Sequence, residues 1–139
     1  MTTYRNDEKI PNDSLYSKQW NMDIIKSPSA WFKTTGGLTA LGDTIVVGLI
    51  DEGTDFSHED LQGNLWFNTA EIPNDGIDND NNGFIDDYRG WSFSDNNDNH
   101  PATDHGTAAA GIIGAKGDNN IGIAGVNWNI KLMVLSQAI

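Results

Sequence analysis

The chain has no cysteine, and only eight lysines and arginines against twenty aspartates and glutamates. Without cysteine, disulfides, thiolate metal sites and cysteine nucleophiles are excluded, though compartment stays open because many secreted bacterial proteins also lack cysteine. Scarcity of basic residues leaves a formal charge of −12. Nucleic acid and anionic membranes are therefore poor partners, since both are polyanions that repel such a surface. No apolar stretch approaches the roughly 20 residues of a membrane span. The polar opening Met1-Thr2-Thr3-Tyr4-Arg5-Asn6-Asp7-Glu8-Lys9 lacks the apolar centre of an export signal, so nothing in it directs export or anchoring. At 139 residues and 37% apolar content, one core is the expectation: one domain, or part of one.

What is present divides into an arm and a folded part. Residues 1–26 read as an N-terminal arm, irregular from Met1 to Met22, with a turn at Pro11-Asn12-Asp13 and Tyr16 and Trp20 as apolar anchors. Ser27-Pro28 opens a short helix that continues through Ala30, Trp31 and Phe32 until Gly36-Gly37. The β-branched run Ile45 to Ile50 reads as a strand covered on both faces, with Asp51 at its carboxyl end, where open α/β sheets usually place their chemistry. Residues 64–91 form an acidic, turn-rich insert. Ala108 to Ala115 then predicts a helix of small residues, and Lys131-Leu132-Met133-Val134-Leu135 a second strand. Strand, helix, strand implies a crossover unit of a parallel sheet. The fold class is α/β, a parallel sheet with flanking helices, over 27–139. The tryptophans at 20, 31, 66, 91 and 128 share no spacing and read as packing residues.

Two segments carry the chemistry. Asp51-Glu52-Gly53 delivers an acid into a glycine turn, and Asp104-His105-Gly106-Thr107-Ala108 places a histidine at a helix opening. Such a pair suits activation of a hydroxyl nucleophile. In the first helical turn the dipole disfavours imidazolium, so a ring that is neutral at rest is expected, ready to accept a proton. Asp51 would hold the other ring nitrogen. The chain contains no Gly-x-Ser-x-Gly or Gly-Thr-Ser-x-Ala segment to supply the hydroxyl.

A third segment, Asn74 to Asp87, contains Asp78-x-Asp80-x-Asn82-Gly83, the first half of an EF-hand-type loop. Its alternate oxygens converge, the glycine permits the sharp turn, and Phe84 offers its carbonyl. Calcium is the expected ion. Arg89 stands where an EF-hand needs its bidentate glutamate, so Asp86 and Asp87 are left to close the shell. The same composition also suits a metal-free Asn/Asp/Gly turn.

With Phe56-Ser57-His58-Glu59-Asp60-Leu61 and Asn119-Asn120-Ile121-Gly122-Ile123-Ala124-Gly125-Val126, these motifs resemble the subtilisin-like serine peptidases, the subtilase family, from about Pro11 onward. The resemblance implies catalytic roles for Asp51 and His105. It also implies a second calcium site held by Asp13, Asp60, Asn119 and the carbonyls of Ile121 and Ile123, which pins the arm. Two departures stand out: Glu52 replaces a small hydroxyl residue beside the acid, and Ala108 replaces a second histidine.

Only the N-terminal half of the family's catalytic domain is matched. The expectation is a calcium-stabilised serine endopeptidase acting on polypeptides once a C-terminal half completes it, with the isolated chain inactive and prone to aggregate or to need a partner. Family members are mostly exported, which implies an extracellular or cell-envelope location. The alternative is a non-catalytic calcium-binding module or pseudoenzyme. A carbohydrate-binding fragment rests only on tryptophan and asparagine content.

Overall fold

Strand β1 (Val46–Asp51) and strand β3 (Lys131–Ser136) form where the β-branched and aliphatic runs occur, and they pair in parallel, Val46 with Lys131 through Asp51 with Ser136. Strand β2 (Gly90–Ser92) adds to the other edge of β3, also in parallel, giving the order β1-β3-β2. The computed structural model describes residues 7–138. Before the sheet lie a 3-10 turn at Tyr16–Lys18, helix α1 (Trp20–Ile24) and helix α2 (Ser27–Lys33). Helix α3 (Asp104–Gly114) connects β2 to β3, as a parallel pair requires.

Helix α3 buries Gly106, Ala110, Gly111 and Gly114. At positions 106, 110 and 114 these small residues recur every four, on one stripe, so the helix can lie close against its neighbours. Leu49, Leu61, Leu65, Ala110, Ile130 and Leu132 form the main core, with Val47 and Phe56 packed on it. Burying a side chain such as Leu132 contributes ~1.5–3 kcal/mol. Asn64 fastens this layer from inside: its side-chain amide donates to the carbonyls of Gly114 at 2.9 Å and Trp128 at 2.8 Å.

The arm is more structured than its composition predicts. Met22, Trp31, Ala124 and Trp128 form a second core, with Tyr16 packed against it. Gln19 clasps Ala124 at both backbone groups, donating to its carbonyl at 2.9 Å and accepting from its N–H at 2.8 Å. Trp20, read as an anchor, is 70% exposed, and Met22 takes the buried place instead. Helix α2 stops at Lys33, before the glycines, because Thr34 turns extended and the Thr35 carbonyl accepts the N–H groups of Trp128 and Asn129.

The first strand also departs from expectation. It lies at the sheet edge, bonded to β3 alone among the described residues, and Val46 and Ile50 are 43% and 75% exposed. The face bearing Leu49 and Asp51 is buried and the alternate face is open, so burial on both faces does not hold for this chain. Strand β2 was not foreseen, being three residues at the end of the acidic insert.

Candidate active site and cation-binding loops

The geometry of the site follows from how α3 is capped. Thr103 is extended before the helix, and its hydroxyl accepts the Gly106 N–H at 3.3 Å while donating to the Gly53 carbonyl at 2.9 Å. Thr107 accepts the Asp55 N–H at 2.9 Å. The helix start is thereby stitched to the turn that follows Asp51. Gly106 makes this possible, because a β-carbon there would collide with the Gly53 carbonyl and crowd Asp51 Oδ1.

Across that contact, His105 Nδ1 lies 2.9 Å from Asp51 Oδ1. The carboxylate can only accept, so Nδ1 carries the hydrogen and Nε2 is left with a free lone pair. Asp51 is 8% exposed and the His105 side chain 77%: the acid is fixed in the sheet and the base faces outward. The hydrogen bond from His105, with help from the Glu52 N–H, holds the Asp51 carboxyl below its ordinary value against burial, which raises it. The same bond, and then the Asp51 charge, push His105 above its ordinary value. The dipole argument predicted a ring kept neutral. The carboxylate outweighs it at this distance. Glu52 is exposed, and its charge only adds weakly to the upward push on His105. Ala108 is exposed on α3 and lines an apolar cavity of about 510 Å³ with Leu61, Ile112 and Ile123.

In the acidic loop, carboxylate oxygens of Glu71, Asp80 and Asp87 lie within 4.8 Å of one another, a group that could hold a metal ion. Of the residues read from sequence, Asp80 and Asp87 are brought together. Asp78 instead accepts the backbone N–H groups of Asn82 and Gly83, and Asp86 those of Asp75 and Gly76. Asn82 donates to Asp80 and Asp87 through its amide, while its own oxygen accepts the Phe84 N–H. The Phe84 ring packs edge-on against Trp91. Glu71 was missed. It is buried beneath the loop, its oxygens accepting the N–H groups of Asn79, Asp80 and Asp86. A lone acid before Ile72-Pro73 offers no periodic signal.

Of the second predicted set, Asp60, Asn119 and Ile123 are joined where the arm meets the loop before β3, but Ile121 and Ile123 take part through their N–H groups and not through the carbonyls expected. Asp60 is 2% exposed and accepts from the Asn119 amide at 3.0 Å and the Ile123 N–H at 2.8 Å. The Ile121 N–H donates to the Asn119 oxygen at 2.7 Å. Asp13 accepts the Asp118 N–H through Oδ2, while its Oδ1 is buried with no partner. Burial, and next the Asp60 and Asp118 charges, push the Asp13 carboxyl up against its backbone hydrogen bonds. An orphaned carboxylate oxygen beside a second buried carboxylate is the donor set of a hard cation. Both groups fit such an ion.

Residues 42–137 match the Peptidase S8 model, the subtilase family. The chain is 40% identical over 126 residues to subtilisin-like protease 1 of Plasmodium berghei, covering 88% of this chain and 20% of that protein. It is 29% identical over 123 residues to the halolysin-like extracellular serine protease Nep of Natrialba magadii, covering 86% of this chain and 19% of that one. Among solved structures, a protease from Pseudoalteromonas arctica superposes with a TM-score of 0.61 at 28% identity, covering 92% of this chain and 39% of the other. The chain thus spans about a fifth of the length of these sequence relatives. With the Asp–His geometry, the parallel sheet and these matches in agreement, the chain belongs to the subtilase family of serine proteases.

Proposed function

We propose that these residues supply the acid and base of a calcium-stabilised serine endopeptidase whose hydroxyl nucleophile comes from outside residues 1–139. The observation that carries this is the 2.9 Å contact between His105 Nδ1 and Asp51 Oδ1, with Nε2 outward on an exposed ring. His105 Nε2 takes the serine proton as the hydroxyl attacks a peptide carbonyl, then returns it to the leaving amine; Asp51 stabilises the intervening imidazolium. The family's oxyanion-hole donor likewise lies outside this chain.

Glu71, Asp80 and Asp87, and separately Asp13, Asp60 and Asn119, would hold calcium, which would neutralise the clustered carboxylates there. Chemistry at His105 does not pass through it. Polypeptides are the substrate, and the extracellular label of the Natrialba relative supports an extracellular or cell-envelope setting. The exposed edge and face of β1 make the isolated chain dependent on a covering partner, without which it associates with itself.

Cleavage of a fluorogenic peptide tests the reading, with the chain alone and then combined with the remaining segment of a subtilase catalytic domain. No turnover is expected alone. Turnover is expected on assembly, falling about 10⁴-fold with Asp51→Asn. A folded assembly that fails to cleave any peptide counts against it. The Glu71, Asp80 and Asp87 geometry favours a second reading, a non-catalytic calcium-binding module. Tight calcium binding by a folded monomer, with no cleavage on assembly, selects that one.

A further inference from the structure

We propose that His100 is a positioning residue for the Asp51–His105 pair, a role that rests on the peptidase reading above. His100 lies in the loop before Pro101, and its ring is fixed from three directions. Nδ1 lies 2.8 Å from Ser136 Oγ at the end of β3, and Nε2 lies 3.2 Å from the Arg89 carbonyl just before β2. The ring stacks on Phe56, in the segment after β1, with centroids 5.2 Å apart and planes 12° from parallel.

These partners dictate its state. A carbonyl only accepts, so Nε2 carries the hydrogen, and the neutral Nδ1 accepts from the Ser136 hydroxyl. Burial agrees, pushing the His100 ring below its ordinary value against the hydrogen bond to the Arg89 carbonyl and the nearby Asp98 charge, with the Arg89 charge adding slightly to the downward push. Ser136 is 1% exposed and sits directly opposite Asp51 in the β1–β3 register. The strand end that flanks the acid and the loop that leads to the base therefore share one fastening.

From there the loop continues against the same edge. The Pro101 carbonyl packs on Gly53 so closely that a β-carbon at 53 has no room, and Thr103 then bonds the Gly53 carbonyl. His105 itself is 77% exposed and gains little packing, so its aim depends on the backbone that carries it. Fastening at His100 and at Thr103 holds the loop at two points before it reaches His105.

The test reads the low-field Nδ1 proton of His105 by NMR in the full chain, and kcat and KM in the assembled enzyme. His100→Phe keeps a flat ring over Phe56 and removes both hydrogen bonds; His100→Asn keeps an acceptor for Ser136. Wild type is expected to show the resonance and Asp51→Asn to lose it. His100→Phe is expected to speed its exchange with water and to lower kcat by about tenfold with KM within about twofold, since a misplacement of about 1 Å costs up to about a hundredfold and loss of one fastening shifts the ring by less. His100→Asn is expected to recover part of both. Should His100→Phe fail to fold, Ser136→Ala, which removes one of the two bonds with little change of volume, carries the test with the same expected sign. An unchanged resonance and unchanged kcat in folded variants overturn the role of His100. Absence of the resonance in wild type overturns the Asp–His pairing instead.

Discussion

Asp51 and His105 stabilise each other's charged forms, and the sign of each shift sets a pH window. His105 is raised above its ordinary value, so its contribution to stability is fully present below about pH 6.5 and is lost as pH rises through the folded value. Asp51 is lowered, so its contribution is present above about pH 4 and is lost as pH falls through the folded value. Urea midpoints of wild type and Asp51→Asn are therefore expected to differ most between roughly pH 4 and 6.5 and to converge above it. A difference independent of pH would show that the two side chains do not titrate as a pair. Gly106→Ala offers a steric counterpart: its β-carbon strikes the Gly53 carbonyl, so the helix start must lift from the turn. Loss of the low-field His105 proton in a variant that still folds is the expected outcome. Both members of the pair were legible in the sequence because each sits in a distinctive context, an apolar run ending in an acid and a histidine before Gly106-Thr107. Glu71 was not, since the N–H groups it serves lie eight to fifteen residues away.

Among the elements, β1, β3 and the body of α3 announced themselves through aliphatic runs and small-residue content. The opening of α3 at Asp104 was legible too, but what holds it was not. Its first four residues depend on the Thr103 cap and on contacts to Gly53 and Asp55 from another part of the chain. Thr103→Ala is expected to cost ~0.5–2 kcal/mol from the cap, and more if the Gly53 carbonyl is left dry. Thermal unfolding measures it, and no change in midpoint would contradict the capping role. Strand β2 was illegible because three residues cannot display a period, and its pairing with Val134 to Ser136 is wholly long-range. Coverage of β1 was misjudged for a similar reason: an aliphatic run reads alike at a sheet's centre and at its edge. Ile50→Lys on the exposed face is expected to reduce self-association in sedimentation without lowering the unfolding free energy by more than about 0.5 kcal/mol.

For the whole molecule, the two carboxylate groups sit where distant segments meet, the arm against the loop before β3 and Glu71 beneath its own loop. An ion that binds the folded chain alone stabilises it by mass action, ~2.7 kcal/mol at a hundredfold excess over its dissociation constant. Calcium is therefore expected to raise the thermal midpoint and a chelator to lower it. Asp13→Asn and Glu71→Gln are each expected to remove part of the gain, and a midpoint indifferent to calcium would refute both sites. The amino-acid order was sufficient for the parallel α/β class, the Asp51–His105 pair, and the oxygen-rich loop, since those depend on local periodicity and on residue type at fixed short spacing. Folding in three dimensions settled the rest: which carboxylates converge, which face of β1 stays open, and which contacts hold His100, Thr103 and Gly53 in the loop that leads to His105. Each of those depends on contacts between segments far apart in the chain, whose distances no local pattern encodes.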